Sequence, residues 1–95
     1  MKRLKWLPWW PVDRLRIDPH GDEPSYIQLA NQLRELVRSG QIAPRAPMPS
    51  ISYITGETGL AVGTIRKAVK VLVDEGVAYV VPGRGTFAGP RRQPQ

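Results

Sequence analysis

Residues 62–88 read VGTIRKAVKVLVDEGVAYVVPGRGTFA, and this run decides the fold class. In its first half Ile65, Ala68, Val69, Leu72 and Val73 recur at steps of three and one. That spacing puts them on one stripe of a helix over about Val62 to Glu75, which Gly76 ends. The period then changes. Val77-Ala78-Tyr79-Val80-Val81 is rich in strand formers, Pro82-Gly83-Arg84-Gly85 is turn chemistry, and Thr86-Phe87-Ala88 can return as a second strand.

Upstream, Gly59 fits a turn before this helix, and Ser50 is a good N-cap for a short helix to about Thr58, weakened by Gly56. The stretch Gln41 to Pro49 holds Pro44, Pro47 and Pro49, so it reads as a connector without helix. Before it, Tyr26, Leu29, Ala30, Leu33, Leu36 and Val37 form another apolar stripe, with Gln28, Gln32, Arg34, Glu35 and Arg38 opposite. Pro24 suits a first turn, Ser25 with Gln28 resembles a capping box, and Gly40 supplies a stop. The order is helix, helix, turn, helix, hairpin: a mainly α chain with a small β-hairpin, in outline a winged helix-turn-helix with a two-stranded wing. The expected organisation is a basic, Trp-rich arm over 1–22, one domain over 23–89 and a flexible tail over 90–95.

Ninety-five residues suit one small domain with tails. The absence of cysteine removes disulfides, thiol nucleophiles and thiolate metal sites, and a single histidine, His20, removes most histidine zinc sites and catalytic triads. Asp18, His20 and Asp22 fall close together but beside Pro19 and Gly21, with no fourth ligand, so no metal is expected. Ser50 and Ser52 have no histidine base to activate them. The reading is of a protein that is not an enzyme and needs no cofactor. No apolar run reaches the roughly 20 residues a membrane span needs, and the basic start has no cleavage site of small residues after it, so the expected compartment is the cytoplasm.

Fourteen Lys and Arg against eight Asp and Glu give a net charge of +6, which makes an anionic partner the leading expectation. The charge is uneven: +4 over residues 1–16, −2 over 17–59 and +4 over 60–95. Along the third helix Arg66, Lys67 and Lys70 come early and Asp74 and Glu75 late. That order runs against the helix dipole by about 0.3–1 kcal/mol per group. It is useful if the early end points into a groove lined by phosphates. Arg84 sits between two glycines at the hairpin tip, where an arginine can enter a narrow minor groove. Taken singly, these features are also what a solvated basic face and a tight turn would show.

Pro24-Ser25-Tyr26-Ile27-Gln28, Leu33, Ser39-Gly40, Pro44, Met48-Pro49-Ser50, Gly59, Thr64-Ile65-Arg66, Ala68, Leu72, Glu75-Gly76 and Gly83-Arg84-Gly85-Thr86-Phe87 occur in order. This set resembles the DNA-binding domain of GntR-family bacterial transcription regulators, over about Pro24 to Ala88. The resemblance implies a winged helix that binds double-stranded operator DNA as a homodimer on an inverted repeat, with helix three in the major groove and the wing in the minor groove. It gives Arg66 a base-contacting role, Thr64 a phosphate or base contact, Ser50 a place near the backbone and Gly85 a close approach through the wing. Lys67 and Lys70 are expected to hold phosphates, and Arg84 to act through the wing.

Four positions depart from the family pattern. Ser52 stands where an arginine is usual, Ala61-Val62 where Ser-Arg usually opens helix three, and Arg45 where a glycine usually follows Pro44. Val62 then offers an apolar contact to a thymine methyl in place of a guanine fork. Family members usually carry a second, effector-binding domain; within these residues no small-molecule effector site is expected. The expected function is transcription regulation, as a repressor. The rival reading is a winged-helix protein-interaction module using the arm, with weak DNA binding. Trp6, Trp9 and Trp10 could pack on a neighbouring subunit, rest on a membrane surface or fold over their own domain.

Overall fold

The computed structural model describes residues 15–89, and the tryptophans of the arm and the tail at 90–95 lie outside them. The expected order is observed: α1 (Ser25–Arg38), α2 (Ile51–Thr58), α3 (Val62–Asp74), then an antiparallel hairpin of β1 (Ala78–Val81) and β2 (Gly85–Ala88). Leu29, Ala30, Leu33 and Leu36 of α1 meet Ile65, Ala68 and Leu72 of α3, with Ile54 of α2 and Ala78 and Ala88 of the hairpin closing the core. Each large side chain removed from water here contributes about 1.5–3 kcal/mol, and no polar or charged residue is buried as a whole among the described residues.

The capping box at α1 does not form. Pro24 is the N-cap residue and no side chain bonds the helix start. Gln28 instead reaches back over the segment ahead of α1: its amide donates to the carbonyls of Asp18 and Glu23, both at 2.8 Å, and its oxygen accepts from the Asp18 N–H at 2.8 Å. One turn on, Gln32 makes the same paired contact with the Arg16 backbone. These amides lay residues 15–18 along α1, so Leu15 enters the core and Ile17 packs against it. The packed unit therefore reaches into the stretch read as an arm.

The proline-rich connector also does more than join two helices. Ile42 and Met48 are core residues. The segment from Arg45 to Met48 runs along the free edge of β2: Arg45 N–H donates to Ala88 O at 2.8 Å, Ala88 N–H to Ala46 O at 2.8 Å and Met48 N–H to Thr86 O at 2.9 Å. Proline is tolerable there because Pro47, bridging Phe87, stands at a sheet edge. Arg45 enters this edge with φ +67, the only positive φ of a non-glycine residue among those described.

One ion pair ties α1 to the end of α3. The Arg34 guanidinium grips Glu75 with two parallel bonds, Nε to Oε1 at 2.8 Å and Nη2 to Oε2 at 2.9 Å. The bonds from Arg34 hold the Glu75 carboxyl below the usual glutamate range, assisted by the charges of Arg34 and Arg38 against a smaller opposing effect of burial.

Candidate nucleic-acid interface

The interface starts with two local features that the sequence foretells. Ser50 caps α2, its Oγ accepting from the Tyr53 N–H at 3.0 Å. At the other end Gly59, with φ +76, turns the chain as few other residues can. Thr58 fastens that turn: its hydroxyl donates to Ile54 O at 2.7 Å and accepts from Leu60 N–H at 3.1 Å. With the turn fixed and Ile65, Ala68 and Leu72 held inward, the opposite stripe of α3 must face out. That stripe carries Gly63, Arg66, Lys67 and Lys70, all exposed.

The start of α3 is bare. Ala61 is its N-cap residue and makes no side-chain bond, and no acid occupies the first turn. Val62 is 44% exposed, unusual for a large apolar residue in this fold, and Thr64 beside it is half-buried. Ser52 is exposed on α2. The family's departures at 52, 61 and 62 therefore all stand on the outer surface, where they change what is presented and leave the core alone.

Between the start of α2, the middle of α3 and the hairpin lies a cleft of about 570 Å³. Ser50, Arg66, Arg84 and Gly85 all line it, so four of the expected site residues from three separate elements meet there. Its floor is apolar: Leu33, Met48, Ile54 and Val69. Val80 and Thr86 are register partners across the hairpin and form its wing-side wall. Sequence reasoning missed these last two, although strand alternation with buried Ala78 and Ala88 places them on that same face. On the hairpin's other face Tyr79 and Phe87 stack at 5.8 Å, stiffening the wing. Gly85 has φ +123, which a side chain would strain. Among the described residues no carboxylate pairs with Arg66 or Arg84.

The two lysines are differently engaged. The Lys67 ammonium sits 4.3 Å from the centroid of the Tyr26 ring, a cation–π contact that brings the start of α1 beside α3. Tyr26, read from sequence as a core residue, is half-buried and serves both purposes. Lys70 lies 3.2 Å from Asp74 one turn on, with both side chains well exposed. Such a pair is worth about 0.3–0.5 kcal/mol, too little to keep Lys70 from a phosphate.

Asp18 holds the turn ahead of α1. Its carboxylate accepts from the His20 N–H at 2.9 Å in the turn ahead of α1, and Gly21 N–H returns to Asp18 O at 3.1 Å. Among the described residues no group of His, Asp and Glu is arranged to hold a metal ion, and no helix is long and apolar enough to cross a membrane.

Three helices, a tight turn into the third and a hairpin flanking its exposed stripe define a winged helix-turn-helix domain of the nucleic-acid-binding class. The family profile "Bacterial regulatory proteins, gntR family" matches residues 25–88, and the chain belongs to that family. It is 32% identical over 81 residues to the HTH-type transcriptional repressor NagR of Bacillus subtilis (strain 168), covering 85% of this chain but only 33% of NagR. Among solved structures, YtrA from Sulfolobus acidocaldarius, a GntR-family transcription factor, superposes with a TM-score of 0.73 at 33% identity, over 83% of each chain. The DNA-binding domain of AraR in complex with operator ORE1 superposes with a TM-score of 0.68 at 33% identity, over 70% of this chain and 82% of that one.

Proposed function

We propose that this chain is a sequence-specific DNA-binding transcription regulator of the cytoplasm that acts as a repressor, seating α3 in the major groove and the hairpin in the minor groove of an operator. The observation that carries this reading is the convergence of Arg66 and Arg84 on one cleft, without carboxylate partners among the described residues. Two arginines from adjacent elements, one on a helix and one on a wing tip, match a duplex that presents two grooves separated by a phosphate ridge. In this reading Arg66 and Thr64 contact bases or phosphates, and Val62 a thymine methyl. Ser50, Ser52, Lys67 and Lys70 hold backbone, while Arg84 and Gly85 act through the wing. The names of NagR, a repressor, and of the operator-bound AraR domain support it.

The operator is read as an inverted repeat by two copies, with the Trp-rich arm packing between subunits. Deleting residues 1–12 should then weaken self-association; an unchanged association constant would remove the arm from the dimer. The central experiment is a salt titration of binding to a duplex from upstream of the chain's own gene, against a scrambled duplex. The expected result is a steep salt slope on both and a specificity ratio above about 10³. Equal, weak binding to the two duplexes would reduce the protein to a basic domain without an operator there.

A further inference from the structure

Gly63 stands in the first turn of α3, within the helix, and nothing in the fold asks for glycine there. Its φ is not in the left-handed region. A Cβ added to it would find no heavy atom within 4 Å. Alanine is the better helix former within a helix, and this helix start has no side-chain cap to offset the difference. Gly56 of α2 has the same open surroundings, so an unfilled Cβ position alone says little. What sets Gly63 apart is its neighbours on the helix surface.

Arg66 and Lys67 are its i+3 and i+4 partners, and helical side chains lean back over the turn before them. Here they part. Lys67 is drawn to one side, its ammonium 4.3 Å from the Tyr26 ring centroid. Arg66 is drawn to the other, into the cleft it shares with Arg84. Neither side chain comes within 4 Å of the Cβ position over Gly63. The helix backbone is thus uncovered over Gly63, between Lys67 at Tyr26 and Arg66 at the cleft, and the exposed Val62 adjoins it.

We propose that Gly63 is the floor of a notch that admits the edge of an operator base pair against the α3 backbone, and so sets how deeply the helix seats and which sequence it accepts. This rests on the operator reading above and adds a specificity determinant that carries neither charge nor hydrogen-bonding side chain. A methyl group on the notch floor would hold the helix away from the base edges. The flexible cations could still reach phosphates.

The test compares the full chain with Gly63→Ala and Gly56→Ala, on a duplex that the wild type enriches from a randomised pool and on its scrambled counterpart. Both substitutions should raise the melting temperature. Only Gly63→Ala should lower operator affinity, by about tenfold or more, as a mismatched base pair does. Its affinity for the scrambled duplex and its salt slope should stay at wild-type values, because no phosphate contact is removed. Undiminished operator affinity in Gly63→Ala, or an equal loss on both duplexes, would overturn the inference and leave the operator reading standing. A wild-type chain that enriches no sequence would overturn both.

Discussion

The two ends of α3 are built on opposite terms. At its C-terminal end Leu72 is fully buried, Glu75 is gripped by Arg34, Asp74 meets Lys70, and Val77 N–H returns to Leu72 O at 2.9 Å. At its N-terminal end there is no side-chain cap, no acid, a glycine with empty space over it and an exposed valine. Either end could have been stabilised by ordinary substitutions, yet only the far one is. The helix is fastened at one end and offered at the other. Stability and recognition are therefore separable along one helix, and mutations at its two ends should move different observables.

The largest effect belongs to the fastened end. Leu72→Ala should cost about 2–5 kcal/mol in urea denaturation, because the cavity it leaves lies between α1 and α3 and cannot readily collapse. Operator binding by the fraction that remains folded should be little changed. At the offered end the pattern should reverse: Arg66→Ala is expected to lose about 1–3 kcal/mol of operator binding and to relax specificity, with the melting temperature unmoved. A large stability loss in Arg66→Ala would erase the contrast between the ends, since it would make Arg66 a packing residue of the cleft.

A gentler change sharpens the same comparison. Ala61→Ser restores a cap oxygen at a residue whose backbone already has the extended cap geometry, φ −68 and ψ 153. A gain of about 0.5–2 kcal/mol in stability is expected, read as a rise in the midpoint of thermal unfolding. No gain would mean that the start of α3 is already satisfied by something other than its own side chains.

What the sequence discloses follows the same division between local and distant. The Ser50 cap, the Gly59 turn, the stripe of α3 and the Pro82–Gly85 turn are decided within a few residues, where propensity and periodicity act directly, and they stand where the reading puts them. The contacts it missed join distant segments: Gln28 with Asp18, Arg34 with Glu75 and the connector with β2. Each depends on how finished elements dock, and no local pattern encodes that. The Ser25–Gln28 capping box failed for this reason, because Gln28 found three backbone partners in the segment ahead of α1 instead. In the candidate site, the charged stripe was legible as a list of cations. The placement of Lys67 against Tyr26 and of Arg66 on the cleft it shares with Arg84 was not, since it requires α1 and the wing to be in place.

The smallest effect expected here tests the far end through its ion pair. Glu75 ends α3, where the helix dipole disfavours a negative charge. The fork from Arg34 reverses that disadvantage and holds the carboxyl below its ordinary range. A carboxyl with a lowered value in the folded chain binds fewer protons there than when unfolded. Its contribution to stability is therefore complete above the ordinary glutamate value of about 4.3 and fades as pH falls through the lowered one. Wild type should consequently exceed Glu75→Gln in melting temperature near pH 7, and the gap should close on acidification below about pH 4. Because the pair is partly exposed, with side chains 18% and 40% accessible, added salt should narrow the gap as well. A gap independent of both pH and salt would show that Glu75 acts through its shape at the helix end, and the fastening would then owe nothing to charge.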